Sequence, residues 1–220
     1  MKKISISFLN SEYVIDDILR INNSTADYIH VDVMDGRFVK KRKNPYKTLL
    51  KLQDKITKKL DVHLMCKNPL KLINYYAALN TEYITVHVEI GDIKKYLKLI
   101  RQYGIKCGLA ISPDTDVFTL LPYINDIDLV IVMGVFPGKG GQPFINNTLN
   151  RIAEIKKMIE DNKSKAKISV DGGVNDSVSK NLYNADILVS GSYLLNAGIL
   201  EDRIKILKNN SKIKEENNEN

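Results

Sequence analysis

The stretch YIHVDVM, residues 28–34, combines the alternation of a buried β-strand with two ionisable side chains. Successive side chains of a strand point to opposite faces, so His30, Asp32 and Met34 share one face and the two valines between them share the other. In an α/β fold the valines suit the face that helices cover. The histidine and the aspartate are therefore expected to point away from the helices, into the interior of a barrel.

A second stretch, KKLDVHLM at residues 58–65, repeats this arrangement. Asp61, His63 and Met65 share one face, and the valine and leucine between them share the other. Two neighbouring strands that both carry polar side chains on the inward face predict one functional site at the mouth of the fold.

Short β-branched runs of this kind recur along the whole chain at fairly regular intervals. The eight runs are 3–9, 28–34, 58–65, 83–89, 106–112, 128–135, 167–173 and 185–192. Stretches with helical spacing lie between most of them, as at 15–25, 69–80, 93–104 and 147–162. Strands that alternate with helices predict parallel pairing through right-handed crossovers.

Eight such units in 220 residues predict an α/β fold of the (β/α)₈ TIM-barrel type. A doubly wound open sheet is the alternative, but the first strand is not followed by the GxGxxG turn of many such sheets. We expect a single barrel domain over residues 1–208 and a polar tail without apolar periodicity over residues 209–220.

Composition excludes several classes of protein. Hydrophobic residues make up 44% and charged residues 27% of the chain, and the apolar runs are too short to span a bilayer. The net charge of +7 comes mostly from lysines scattered along helical segments, and only residues 37–43 form a dense basic run. Scattered lysines favour solvated helix faces over nucleic-acid binding. The N-terminus does not resemble a signal peptide, and Cys66 and Cys107 have no CxxC spacing, so we expect a cytoplasmic protein with reduced thiols.

Imidazoles and carboxylates inside an apolar barrel need compensation, because burying an unpaired ion costs several kcal/mol. A divalent cation would supply it. His30, Asp32 and His63 offer the mixed nitrogen and oxygen ligands that zinc, iron, manganese and cobalt accept. Asp171 ends the seventh run and faces the same mouth, which makes it the fourth expected ligand. Hydrogen-bonded core histidines are the alternative interpretation.

Glycines follow the last two strands, where this fold commonly binds phosphate. The segments VDGGVN at 170–175 and VSGSYL at 189–194 offer backbone N–H groups at positions that an anion can approach closely. The loop FPGKGGQPF at 136–144 has the length and position of a mobile flap over the mouth. Together these segments predict a phosphorylated ligand.

Several motifs, in this order, are similar to those of the ribulose-phosphate 3-epimerases, metal-dependent (β/α)₈ isomerases of the pentose phosphate pathway. The matching pieces are SFL, HVDVMDGRFV, LDVHLM, YITVHVE, GLAISPDT, PGKGGQPFI, VDGGVN and LVSGSYL, from residue 4 to about 195. The resemblance implies that one divalent metal ion (Zn²⁺, Fe²⁺, Mn²⁺ or Co²⁺) is held by His30, Asp32, His63 and Asp171.

The resemblance also implies that Asp32 and Asp171 are the catalytic acid/base pair, with Asp32 as the first base. The substrate-contacting positions that it implies are Ser7, Met34, His63, Met65, Met133, Gly138, Lys139, Gly140, Gly141, Gly172, Gly173, Gly191 and Ser192. It further implies a small phosphorylated ketose as substrate and a homo-oligomer. His87 faces the mouth by its period, and both a supporting role at the site and a purely structural role stay open.

The reaction that this resemblance implies is epimerisation at C3 between D-ribulose 5-phosphate and D-xylulose 5-phosphate. Two carboxylates remove and return a proton next to a carbonyl, and the metal stabilises the enediolate as a Lewis acid. The chain departs from the family at Ile6, Asn10, Phe136 and Lys139 and in the basic segment after Val39. These departures leave open a six-carbon ketose phosphate such as allulose 6-phosphate, or a phosphosugar-binding barrel without catalysis.

Overall fold

The computed structural model describes residues 2–196 and 198–210 of the chain. Eight parallel strands form a closed barrel, and a ninth strand of two residues pairs antiparallel beside it. The strands are β1 Lys3–Ser7, β2 Tyr28–Asp35, β3 Arg42–Lys43, β4 Lys59–Met65, β5 Thr81–His87, β6 Lys106–Ile111, β7 Leu129–Met133, β8 Lys167–Asp171 and β9 Ile187–Ser190.

The order of the strands shows the closure of the barrel. Hydrogen bonds run β1-β9-β8-β7-β6-β5-β4-β2, and a pairing of β1 with β2 completes the ring. In the register of β2 with β4, His30 lies opposite Asp61 and Asp32 lies opposite His63. The predicted (β/α)₈ fold is confirmed, and the two polar strand faces are direct neighbours. The short β3 strand was not predicted from the sequence.

Helices surround this barrel. They are α1 Val14–Asn22, α2 Tyr46–Leu52, α3 Leu70–Ala77, α4 Ile93–Gln102, α5 Thr148–Asp161, α6 Asp176–Ser179, α7 Ser192–Leu195 and α8 Leu200–Asn210, with 3₁₀ turns at Val88–Ile90 and Val117–Tyr123. In α4 the buried residues are Ile93, Tyr96, Leu97 and Ile100, spaced three and four apart along one face, while lysines occupy the other. This amphipathic pattern fixes which side of the helix packs on the sheet.

The main hydrophobic core lies between the strands and the helices and includes Val31 and Val33. A second apolar cluster contains Tyr28, Tyr83 and Met133. Buried polar residues on the strands, such as Asp61 and Ser169, lie among these apolar side chains and need partners there.

The last helix ends at Asn210, so most of the expected polar tail, residues 209–220, lies outside the described residues. Within the part of the chain that the structure describes, every helix is too short or too polar to cross a membrane.

Candidate active site

Four side chains converge at the carboxyl ends of three strands. His30 and Asp32 come from β2, His63 from β4 and Asp171 from the last position of β8. One ligand atom from each lies within 4.8 Å of the others, and all four residues are buried. The structure therefore brings together the four residues that the sequence predicted as metal ligands.

Two nitrogens in this cluster have no hydrogen-bond partner among the residues that the structure describes. They are Nε2 of His30 and Nδ1 of His63, both fully buried. The His30 nitrogen lies 3.5 Å from a carboxylate oxygen of Asp32 and 3.5 Å from one of Asp171. The His63 nitrogen lies 3.6 Å and 3.2 Å from the same two oxygens. Unpartnered nitrogens facing two carboxylates fit the donor set of a divalent cation.

The electrostatics of the cluster agree with this interpretation. Burial disfavours the charged imidazolium, but nearby carboxylates outweigh it and raise the pKa of both rings: Asp32, Asp61 and Asp171 at His30, and Asp171 and Asp32 at His63. Burial also disfavours charged carboxylates, yet the two imidazoles lower the pKa of Asp32 and Asp171. The cluster thus favours two ionised carboxylates with positive charge between them, and a metal bound there would replace protons on the imidazoles.

His30 is oriented by one carboxylate on its far side. Its Nδ1 lies 2.8 Å from Oδ2 of Asp61, a fully buried residue of β4. The Ser5 hydroxyl donates a second hydrogen bond of 2.8 Å to the same oxygen. The inward face of β4 thus supplies both a cluster residue, His63, and the partner of the neighbouring histidine.

His63 is oriented through a second imidazole. Its Nε2 lies 2.9 Å from Nε2 of His87, at the end of β5. Nδ1 of His87 lies 3.0 Å from Oε2 of Glu89. Burial, as the largest effect, lowers the pKa of His87 to about 4, so this ring is neutral near pH 7. The ring of Phe38 packs against it, with centroids 4.4 Å apart.

Two donors hold the other oxygen of Glu89. The Ser112 backbone N–H and the Thr115 hydroxyl each donate to Oε1 at 2.7 Å. Burial works against the charged carboxylate, but these hydrogen bonds and the one with His87 lower the pKa of Glu89 to about 2. Arg151 of α5 in turn donates to the carbonyl oxygens of Ser112 and Thr115.

A cavity opens above the cluster at the mouth of the barrel. Asp32 and Asp171 line it, and the fully buried His30 and His63 lie beneath them. The Ser7 hydroxyl lines it too and donates a 2.7 Å hydrogen bond to Oδ2 of Asp32. The carboxylates are thus the cluster groups that a molecule in the cavity meets first.

One side of the cavity consists of glycine-rich backbone. It includes Gly172, Gly173, Gly191 and Ser192, the four positions expected to bind phosphate. Gly172 has φ +102°, and a Cβ there would lie 2.4 Å from the Val135 side chain. Its backbone therefore adopts a conformation that only glycine tolerates in this packing.

The expected flap forms another part of the cavity wall, through Gly138, Lys139, Gly140 and Gly141. Gln142 closes this loop on itself by donating hydrogen bonds to the carbonyl oxygens of residues 136 and 139, at 2.8 and 2.7 Å. A Cβ at Gly140 would approach the Asn10 side chain to 2.5 Å, so the flap passes directly over Asn10.

The three methionines occupy different places. Met65 and Met133 line the cavity. Met34 is buried at the end of β2, level with Met65 in the strand register, and is not part of the cavity lining.

Sequence reasoning missed several residues of the site. Asn10, Gln142, Asn175 and Tyr193 also line the cavity. Asn10 donates a 3.3 Å hydrogen bond to the Ser192 hydroxyl, a contact between segments 182 residues apart that no local pattern reveals. Glu89 had a local signal, because it lies two residues after His87 at the end of a strand.

The sequence is similar to one protein family over nearly its whole length. The family model described as "Ribulose-phosphate 3 epimerase family" matches residues 3–195. The chain belongs to the ribulose-phosphate 3-epimerase family. A "Ribulose-phosphate 3-epimerase" of Chlamydia pneumoniae is 35% identical over 196 residues, covering 86% of each chain. That of Bacillus subtilis is 34% identical, covering 87% of this chain and 91% of its own. The Buchnera aphidicola (Schizaphis graminum) protein is 35% identical, covering 97% and 96%.

Solved structures confirm the fold of this family member. KGPDC from Streptococcus mutans superimposes with a TM-score of 0.68 at 12% identity, over 97% of this chain and 98% of that one. Tryptophan synthase of Mycobacterium tuberculosis gives 0.69 at 14% identity, over 96% and 92%. At such low identity the likeness concerns the barrel alone.

Proposed function

We propose that this chain interconverts D-ribulose 5-phosphate and D-xylulose 5-phosphate, with Asp32 and Asp171 exchanging the proton at C3. The observation that carries the proposal is the placement of these two carboxylates. They lie on strands separated by β1 and β9 in the ring, and both reach the cavity. Epimerisation needs a base on one face of the carbon and an acid on the other, which two carboxylates from different strands supply.

His30, His63, Asp32 and Asp171 would hold one divalent cation, and zinc, iron, manganese and cobalt all accept this ligand set. The cation would stabilise negative charge that develops on the substrate oxygens during proton removal. Ser7 hydrogen-bonds to Asp32 and orients this carboxylate towards the cavity. Asp32 takes the proton from D-ribulose 5-phosphate, and Asp171 returns one to the other face.

The phosphate of the substrate lies against Gly172, Gly173, Gly191 and Ser192, whose glycines let the backbone approach an anion. The flap residues Gly138, Lys139, Gly140 and Gly141 cover the sugar. Met65 and Met133 add an apolar lining near the reacting carbons, and Met34 lies beside Met65 on the neighbouring strand.

The relatives favour the five-carbon substrate over a six-carbon ketose phosphate such as allulose 6-phosphate, since those compared carry the ribulose-phosphate name. A phosphosugar-binding barrel without catalysis would not need two carboxylates and two unpartnered imidazoles in one cluster. We further propose a cytoplasmic homo-oligomer. Two buried, free cysteines support a reducing compartment.

A coupled assay tests the proposal. The purified protein is given D-ribulose 5-phosphate as prepared, after chelation, and after addition of Zn²⁺, Fe²⁺, Mn²⁺ or Co²⁺. We expect xylulose 5-phosphate to form, to stop forming on chelation, and to return with metal. Asp171→Asn should lower kcat by about 10²–10⁴, the usual worth of a general acid or base.

Asp161→Asn is the matched control, because Asp161 pairs with Lys157 on the exposed surface of α5 and should leave turnover unchanged. A tightly bound metal without turnover would redirect the proposal to six-carbon ketose phosphates. Absence of both metal and turnover would contradict catalysis and favour a binding protein.

A further inference from the structure

Glu89 does not line the cavity above the cluster. A continuous chain of hydrogen bonds nevertheless links Glu89 to His63 of the cluster. The chain runs from Glu89 to His87 at 3.0 Å and from His87 to His63 at 2.9 Å. The centroids of the two imidazoles are 5.0 Å apart and their planes are inclined by 24°. This geometry is that of two nearly coplanar rings joined through ring nitrogens.

The direction of each bond follows from the metal site. His63 faces Asp32 and Asp171 with Nδ1, so Nδ1 must keep its lone pair to bind a cation. A neutral imidazole has one N–H, which His63 then carries on Nε2 and donates to His87. Nε2 of His87 accepts it, so the hydrogen of His87 is on Nδ1 and is donated to Glu89.

We infer that Glu89 is a positioning residue that sets the tautomer of both His87 and His63 and so keeps Nδ1 of His63 available to the metal. This inference rests on the metal site of the proposed function. Carboxylates behind ligating histidines are a general device of metal sites. Here the carboxylate acts through an intervening imidazole.

The same geometry predicts an unusual effect of Glu89→Gln. The atom at Oε1 must stay an acceptor, because the Ser112 backbone N–H can only donate. The glutamine oxygen therefore faces Ser112 and Thr115, and its NH₂ group faces Nδ1 of His87. His87 then carries its hydrogen on Nε2, where it points at Nε2 of His63. Two N–H groups cannot hydrogen-bond to each other, so His63 places its own hydrogen on Nδ1, the nitrogen that should bind the metal.

Zinc affinity, measured by competition with a chelator, tests this inference. We expect Glu89→Gln to weaken zinc binding about 10–100-fold and Glu89→Ala to weaken it less, because alanine supplies no donor to reverse the chain. A role in packing alone gives the opposite order, since alanine removes more contacts. Glu82→Gln is the control: Glu82 is on β5, the strand that precedes Glu89, pairs with Lys106, and should change zinc affinity less than twofold.

Nitrogen NMR of the zinc-loaded parent chain determines the tautomers without any variant. The chain has three histidines, so the spectrum contains signals from only three imidazoles. We expect His30 and His87 protonated at Nδ1 and His63 at Nε2. His87 protonated at Nε2, or an alanine variant that binds zinc as weakly as the glutamine variant, would overturn the inference. A parent chain that binds none of zinc, iron, manganese and cobalt would instead overturn the proposed function.

Discussion

His30 and His63 are neighbours in the cluster, with ring centroids 5.7 Å apart, but they are held in different ways. His30 directs Nε2 towards the carboxylates of Asp32 and Asp171, and its Nδ1 hydrogen-bonds directly to Asp61. His63 directs Nδ1 towards the same carboxylates, and its Nε2 hydrogen-bonds to His87, which in turn hydrogen-bonds to Glu89. Each ring thus directs one nitrogen towards the proposed metal position and hydrogen-bonds through the other. We call Asp61 the direct support of His30, and His87 with Glu89 the longer support of His63. The direct support uses one carboxylate oxygen, whereas the longer support uses both oxygens of Glu89.

This difference determines how much change each support tolerates. Both donors to Asp61, Ser5 and His30, converge on Oδ2, and within the described part of the chain Oδ1 has no hydrogen-bond partner. An amide oxygen at the Oδ2 position can therefore replace the carboxylate without reversing a bond. Glu89 has no such spare atom, so the His63 side is the more sensitive of the two.

The largest expected effect comes from removing the intermediate imidazole. His87→Leu leaves Nε2–H of His63 buried without an acceptor, which favours the tautomer that blocks the metal. We expect zinc binding about 10–100-fold weaker, measured by chelator competition, with the His30 resonances unchanged. Equal disturbance of His30 and His63 would show that the two supports are not independent.

The pH dependence of stability isolates Glu89. Its pKa is about 2 in the fold against 4.5 for the free side chain, so the stabilisation is complete above about pH 4.5 and is lost as the pH falls towards 2. It amounts to about 2 kcal/mol after allowance for solvent screening.

Urea unfolding of the parent and of Glu89→Ala, both with chelator present, measures this contribution. The difference in the free energy of unfolding between the two chains should shrink by about 2 kcal/mol between pH 5 and pH 2. A difference that stays constant over this range would mean that the hydrogen bonds to Glu89 do not favour its ionised form.

Asp61→Asn should have the smallest effect of these changes. The hydrogen bonds from Ser5 and His30 are kept and a negative charge is lost, so we expect zinc binding to weaken about tenfold or less. The variant also buries an NH₂ group at the Oδ1 position, at a cost of about 1–3 kcal/mol in stability. If Asp61→Asn weakens zinc binding more than Glu89→Gln does, the contrast between the two supports is wrong.

The sequence was sufficient to predict the fold and the cluster because both follow from local periodicity. Alternation in 28–34 and 58–65 placed the histidines on one face, and parallel strands bring such faces together. The partners of these histidines depend on strand register and side-chain rotamers. The period placed Asp61 and His87 on the inward face, but only the structure shows that one contacts His30 and the other His63.

Contacts between distant segments were beyond sequence reasoning for a different reason. Asn10 beneath Gly140, and Arg151 behind the segment that holds Glu89, depend on how loops from separate units meet at the mouth. Loop conformation is set by packing across the barrel, not by the residues of the loop alone.

The most direct test of the two-aspartate account is proton NMR of D-ribulose 5-phosphate in D₂O with the metal-loaded chain. The account predicts that the parent forms xylulose 5-phosphate with deuterium at C3. It predicts that Asp171→Asn, which keeps Asp32 as the first base, exchanges the C3 hydrogen of the substrate while forming xylulose 5-phosphate at least about 10²-fold more slowly. Product that retains its original C3 hydrogen, or an Asp171→Asn variant as fast as the parent, would contradict proton transfer by these two aspartates.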